Sequence, residues 1–231
     1  KSLEPGFDDR LKWASEPDSG IYNAMNKGVS HSSGEYLLFL NSGDILKPNA
    51  LEEFFSCCPS EDIVYSDMYV SDGKTERVSH QADVDELTAG WFLFNTLPHQ
   101  AAFIRRALHE RLGGYDESLR ISAAPKFFFE AVLKAKCSLR KLTKPFSVYD
   151  TTGLSSSAEH HKEKVEDWYS FWEPYYGARV ADWARENMLR LRAPRNGDPA
   201  LDKTVALEAE IKVQNAARVK NWNERMLYVQ K

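Results

Sequence analysis

Apolar positions along the chain recur with two periods, and the switches between them lay out alternating helices and strands. Ile21, Met25 and Val29 fall at i, i+4 and i+8, one face of a helix, entered through the turn-rich Ser15, Glu16, Pro17, Asp18, Ser19, Gly20. Pro17 and Gly20 set a loop at that helix's N-terminus, where free backbone N–H groups can hold an anion. After Gly34 an unbroken apolar run, Tyr36, Leu37, Leu38, Phe39 and Leu40, leads to Asn41. Such a run predicts a strand buried on both faces, as in an α/β sheet. Leu51, Phe54 and Phe55 predict a helix over 48–58, started by Pro48 or Asn49. Residues 62–70 alternate as a strand, Asp72 and Gly73 turn, and 75–78 return, which together read as a hairpin. Gln100 to Arg105 is a further short strand, 127–136 an amphipathic helix, and Phe146 to Tyr149 a closing strand. Strands separated by such helices predict a mixed or mostly parallel sheet covered on both faces.

Beyond Gly153 the pattern changes. Trp168, Tyr169, Phe171, Trp172, Tyr175, Tyr176 and Trp183 crowd together, followed by Arg185, Arg190, Arg192 and Arg195. One reading is a helical lid packed on the preceding domain. The other is peripheral membrane contact through aromatic and basic residues, suited to a lipid-linked acceptor. Residues 193–199 carry Pro194, Gly197 and Pro199 and read as a linker. Residues 201–229 are charged and thinly apolar, a surface helix or docking arm. The division expected is therefore 1–154, 155–192 and 193–231.

Composition narrows the classes. With 42% hydrophobic and 28% charged residues over 231, the chain can build a core and is neither collagen-like nor disordered. Thirty Lys and Arg against 34 Asp and Glu give a net charge of −4, which argues against a nucleic-acid partner. No apolar run reaches the ~18 residues that span a bilayer. Cys57, Cys58 and Cys137 lack metal spacing and read as buried thiols of a reducing compartment. His160 and His161 sit in a polar stretch and read as a solvated helix start or loop. No GxGxxG or GxxxxGK loop follows any strand, which sets aside the common nucleotide-binding motifs.

The strongest chemical signal is the buried run ending in Asn41, Ser42, Gly43, Asp44. Ligands of open α/β sheets bind beyond the carboxyl ends of strands, so Asp44 is a candidate site carboxylate. A turn former or helix cap is the alternative. The wider pattern decides between them. The string from Ser15 to Gly28, then Gly34 to Asp44, closely resembles family 2 glycosyltransferases of the GT-A fold, in the branch that decorates bacterial surface polysaccharides. Leu97, Pro98, His99, Gln100 agree, as do Gly113 to Leu119, Lys126 to Phe128, and Ser147 to Asp150 with Gly153, Ser155 and Ser156; the blocks run from Trp13 to Ser156.

The resemblance implies a mixed, Rossmann-like α/β sheet flanked by helices, with a C-terminal helical extension. It implies inverting transfer of a sugar from a nucleotide diphosphate sugar to a hydroxyl of a glycan or lipid-linked acceptor. A Mg or Mn ion would neutralise the leaving diphosphate, and Asp44 matches the metal-binding Asp of the family's DxD-like motif. Asn41 and Gly43 stand where many members carry Asp, so most other cation ligands would come from diphosphate and water. Glu16, Asp18, Gly20, Asn23, Asn41, Ser42 and Asp44 form the implied donor side. His99 and Gln100 form the acceptor side, with a half-buried structural imidazole as the other reading of His99. Asp116 and Glu117 read as organisers of a turn. The implied location is the cytoplasm, at the inner face of the membrane for a lipid-linked acceptor.

Two departures stand out. Relatives place a general-base Asp just before the helix that begins near Lys126, and here that position is Ala124. If Pro125 opens the helix, Ala124 is its N-cap and forgoes a cap worth about 1 kcal/mol; a start capped by Ser122 is the alternative. Loss of the base predicts weakened transfer with nucleotide-sugar binding retained, so no catalytic residue is assigned. Secondly, nothing before Trp13 resembles the family's nucleobase-binding strands, which implies a GT-A domain whose first part is missing or rebuilt.

Overall fold

A computed structural model describes residues 14–151 and 160–191. Its strands form two four-stranded mixed sheets, flanked by helices. The elements in chain order are α1 (Ile21–His31), β1 (Tyr36–Leu37), β2 (Ile45–Leu46), α2 (Ala50–Ser56), β3 (Ile63–Ser66), β4 (Met68–Ser71), β5 (Glu76–Ser79), β6 (Ala102–Arg105), α3 (Arg106–Leu112), α4 (Ala123–Phe129), β7 (Leu139–Leu142), β8 (Ser147–Asp150), α5 (His161–Tyr176) and α6 (Ala178–Leu191). The strand orders are β1-β6-β3-β7 and β2-β8-β4-β5. β3 runs parallel to β7, and β4 parallel to β8; the other neighbours are antiparallel.

The first sheet is covered on both faces, and its period-2 alternation shows how. Ile63 and Tyr65 of β3, with Ala102 and Ile104 of β6, enter the large core shared with α1, α3, α4, α5 and α6. Val64 and Phe103 point the other way, onto Ala50, Phe54, Ala101 and Phe146. Phe54 stacks on Phe103 with centroids 4.0 Å apart. Each fully buried ring of this kind contributes roughly 1.5–3 kcal/mol.

Four sequence expectations are corrected. The stretch 62–70 is not one strand: it breaks at Asp67, passing the chain from the first sheet to the second. Asp67 holds that break by accepting from Gln81 N at 2.8 Å while facing His80 Nδ1 at 2.7 Å and Lys141 Nζ at 3.1 Å. The hairpin is therefore β4–β5 alone, with Ser71 opposite Glu76. The apolar run after Gly34 yields only the two residues of β1, half-buried, with Leu40 at 39% exposure. Among the described residues β1 pairs only with β6, so one edge lacks the neighbour that a central strand would have. On α1, Tyr22 and Met25 are buried and Ile21 is exposed; on α2 Phe54 is buried while Leu51 and Phe55 are exposed. Of the cysteines, Cys137 is buried and Cys58 is exposed.

The aromatic region forms the helices α5 and α6, joined at Gly177. Val165, Trp168, Phe171 and Trp172 of α5 and Ala181, Ala184 and Met188 of α6 enter the large core, so most of this apolar surface faces protein. No helix among the described residues is long and apolar enough to cross a membrane. The residues before 14, Gly153, Ser155 and Ser156, the linker 193–199 and the segment 201–229 lie outside the described residues.

Candidate functional site

After β1 the chain reaches Asn41, turns through Ser42 and Gly43, and closes on Asp44. Asp44 N donates to Asn41 O at 3.0 Å, and Asn41 N donates to Asp44 Oδ2 at 3.3 Å. From the end of β8, Asp150 N donates to Asp44 Oδ1 at 3.0 Å. Gly43 takes φ 98°, and a Cβ there would lie 2.5 Å from Asp150 Oδ2. The carboxylate of Asp150 thus fills the side-chain space that glycine leaves, next to Asp44. Burial holds the Asp44 carboxyl above its ordinary pKa; the two N–H bonds pull it down, and the Asp150 charge adds to the rise.

This donor set suits a hard cation shared with a ligand. Asp44 and Asp150 supply carboxylate oxygens, but among the described residues no group of three or more His, Cys, Asp or Glu converges to form a cage.

Asn41 links this loop to the next element. Its Nδ2 lies 3.0 Å from His99 Nε2. An amide NH₂ can only donate, so Nε2 accepts and the neutral ring carries its proton on Nδ1. Burial lowers the His99 pKa to about 4, which keeps the ring neutral near pH 7. Gln100 follows, buried to 4% exposure.

His99 and Gln100 open onto a cleft of about 560 Å³, in the range of small-molecule sites. Its walls come from the β4–β5 hairpin (Met68, Ser79), the segment from Phe94 to Gln100, the α4 entry (Ile121, Ala124, Pro125), and α5 and α6 (His161, Lys164, Trp168, Met188); Tyr22, Gln81 and Tyr149 complete it. Among the described residues, no Asp or Glu lines it.

The start of α4 resolves the cap question. The helix begins at Ala123 with Ser122 as N-cap, so Pro125 sits inside the first turn, where its missing N–H costs nothing. Ser122 makes no side-chain cap bond. Instead Asp167, from α5, accepts from Ile121 N at 3.1 Å and Ser122 N at 3.0 Å. The Tyr22 hydroxyl donates to Ile121 O at 2.6 Å, and the amides of Ala123 and Ala124 face its oxygen. Ala124 therefore leaves no helix end uncapped. It does place an alanine in the cleft wall where the resemblance implies a carboxylate.

The remaining candidates lie elsewhere. Glu16, Asp18 and Gly20 are exposed; Asp18 Oδ1 accepts from Gly20 N at 3.0 Å, and Glu16 pairs with Lys27 at 3.6 Å. Asn23 Nδ2 donates to Glu117 Oε2 at 2.9 Å, and Asn26 Nδ2 to Glu117 Oε1 at 2.8 Å, which docks α1 on the turn after α3. Asp116 accepts from Ser118 N at 3.0 Å and pairs with Lys126, organising that turn. Ser42 is exposed at its turn. The structure thus joins Asn41, Asp44 and His99, sets Gln100 beside them, and does not bring Glu16, Asp18, Gly20 or Asn23 to the cleft.

Sequence reasoning passed over Tyr22, Asp150, His161, Lys164 and Asp167 as site residues. Tyr22 is one step off the apolar face chosen for α1. His161, Lys164 and Trp168 have the i, i+3, i+7 spacing of one helix face, a signal obscured by the aromatic crowd around it.

Residues 2–113 match the model of the family described as Glycosyl transferase family 2. The match begins ahead of Trp13, earlier than the sequence blocks suggest. The chain is 31% identical over 159 residues to an uncharacterized glycosyltransferase of Mycobacterium tuberculosis strain H37Rv, covering 68% of this chain and 59% of that protein. It is 33% identical over 124 residues to a PGL/p-HBAD biosynthesis glycosyltransferase of Mycobacterium bovis BCG, covering 52% and 46%. The chain thus spans about half of each relative's length. Among solved structures, TarS residues 1–349 of S. aureus superposes with a TM-score of 0.51 at 15% identity, covering 74% of this chain and 49% of that one. The same protein in complex with UDP gives 0.50 at 17% identity, covering 85% and 58%. At such identity the likeness shows the fold.

Proposed function

Since the chain belongs to glycosyl transferase family 2 through its residues 2–113, we propose that it takes a nucleotide diphosphate sugar and transfers the sugar to an acceptor hydroxyl. The transfer inverts the anomeric centre and serves the assembly of a bacterial polysaccharide or lipopolysaccharide. The supporting observation is the Asn41–His99 contact, which couples the Asp44 loop to the cleft. In this reading Asp44 would hold a Mg or Mn ion, which would supply charge to offset the leaving diphosphate. Asn41 and Ser42 meet the donor beside it, and Glu16, Asp18, Gly20 and Asn23 form the outer donor side. His99, neutral and protonated on Nδ1, and Gln100 face the acceptor. The catalytic portion falls within 1–154, and the helices α5 and α6 form the lid. The reaction belongs in the cytoplasm, at the inner membrane face for a lipid-linked acceptor.

A second reading is binding of nucleotide sugar or glycan without transfer, favoured by Ala124 and by a cleft lining that, among the described residues, holds no Asp or Glu. General-base catalysis supplies roughly 10²- to 10⁴-fold, so its loss would slow turnover and spare binding. Calorimetry with UDP-sugars and Mn, alongside radiolabel transfer to glycan acceptors, separates the two. Binding with turnover supports the first, binding alone the second, and no binding with or without Mn contradicts both.

A further inference from the structure

We propose that Phe94 and Trp183 form a stacking subsite at the mouth of the cleft, so that the acceptor is an oligosaccharide whose penultimate ring packs on Trp183. The inference rests on the glycosyltransferase reading, because it names the acceptor class of that same cleft.

Two elements build the subsite. Phe94 lines the cleft at the start of the segment that ends in His99 and Gln100. Trp183 reaches it from α6, and the two rings meet edge to face with centroids 5.6 Å apart and planes at 78°. In such a pair one ring presents its edge, so at least one broad face of Trp183 stays clear of Phe94. Trp183 is 38% exposed. The same helix buries Ala181, Ala184 and Met188 in the large core, so α6 turns smaller apolar side chains inward and leaves its largest in solvent. A ligand ring laid on that face would remove apolar surface from water.

Continuity with the cleft chooses the occupant. Phe94, Asn95, Thr96, His99 and Gln100 all line it, and His99 at the far end contacts Asn41 of the Asp44 loop. From Phe94 to His99 is five residues, at most about 18 Å of chain. The polar end beside the donor loop and the aromatic end at solvent therefore lie within the length of a short oligosaccharide. Asn95, Thr96 and Gln100 offer amide and hydroxyl groups to sugar hydroxyls, while the C–H face of a pyranose suits the negative face of an indole. The terminal ring then meets His99 and Gln100, and the ring before it meets Phe94 and Trp183. Charge disfavours a lipid surface as the occupant. Arg179, Asp182 and Glu186 stand within about one helical turn of Trp183, a mixed set and not the basic face of a helix that lies on a membrane.

The test is saturation-transfer NMR on the full chain, with the methyl glycosides of glucose, galactose and mannose set against the methyl glycosides of their homodisaccharides. Covering one face of a second ring predicts about tenfold tighter binding of the preferred disaccharide than of its monosaccharide, with saturation reaching the C–H protons of its second ring. Trp183→Ala should bring the disaccharide down to the affinity of the monosaccharide and leave the monosaccharide unchanged. Trp183→Tyr, which keeps an aromatic face, should retain most of the difference, and both variants should melt near the parent temperature. Equal binding of every disaccharide and its monosaccharide, binding of none, or a difference that survives Trp183→Ala overturns the proposal. So does sedimentation with phosphatidylglycerol vesicles that Trp183→Ala abolishes, where no disaccharide is preferred; that result identifies membrane contact. Failure of the parent to bind UDP with Mn, while the disaccharide preference holds, overturns the donor reading instead.

Discussion

Asp150 donates its backbone N–H to Asp44 Oδ1 at 3.0 Å, and its own carboxylate stands where a side chain on Gly43 would be. The end of β8 and the loop after β1 are thereby fitted to each other around a residue that must be glycine. Gly43→Ala meets both a left-handed φ of 98° and a Cβ 2.5 Å from Asp150 Oδ2. We predict a loss of about 1–3 kcal/mol in urea unfolding, together with weaker Mn-linked nucleotide binding. Parent-like stability and affinity would show that the loop is not so constrained.

Asp167 links α5 to the entry of α4 through two backbone N–H groups. Asp167→Ala leaves both without their acceptor, a cost of about 1–3 kcal/mol. Asp167→Asn keeps an oxygen in place and should lose less. Chemical denaturation of the pair checks this, and equal losses would contradict the link.

His109 is enclosed by aromatic rings, stacked on Phe127 at 4.6 Å with Phe39 and Tyr115 edge-on, and neither ring nitrogen has a hydrogen-bond partner. Burial lowers its pKa from 6.5 to about 4. The fold therefore favours the neutral ring: this contribution is fully present above pH 6.5 and fades as pH falls toward 4. His99 shifts the same way. His109→Leu should flatten the acid side of the stability profile while leaving stability near pH 7 unchanged or higher, since no buried nitrogen is then left unpaired. An unchanged acid slope would place the sensitivity elsewhere.

Ala124→Asp sets a carboxylate in the cleft wall at a residue only 3% exposed. Under the reading in which the base is missing, transfer rises by about 10²- to 10⁴-fold, while the melting temperature falls because a charge is buried. A radiolabel assay at matched enzyme occupancy reads the gain, and no gain counts against a missing base.

The existence of α1 and α2 and the alternation of helix and strand were legible, and the hairpin in part: its turn and return strand, not where its first strand starts. The elements misread were those decided by tertiary context. Asp67 breaks a continuous alternation because Gln81, His80 and Lys141 converge on it from distant positions. β7 was missed because Leu139, Arg140, Lys141 and Leu142 are all half-buried and carry no alternation. At the site, Asp44 and His99 were visible from local motif, whereas Asp150, Tyr22 and Lys164 enter by approach across the fold. The cap that Ala124 lacks was legible as a gap; that Tyr22 and Asp167 hold the helix end was not, being a contact across 45 residues or more.

The central claim is that Asp44 supports cation-dependent binding of a nucleotide diphosphate sugar at the loop after β1, which Asn41 joins to the cleft through His99. Manganese titration by electron paramagnetic resonance, with and without nucleotide sugar, tests it most directly in the parent and in Asp44→Asn. The account predicts that nucleotide sugar tightens Mn binding in the parent and that Asp44→Asn loses about tenfold or more of that affinity, in line with removal of a charged ligand. Mn binding that nucleotide sugar leaves unchanged, or that survives Asp44→Asn intact, would contradict it.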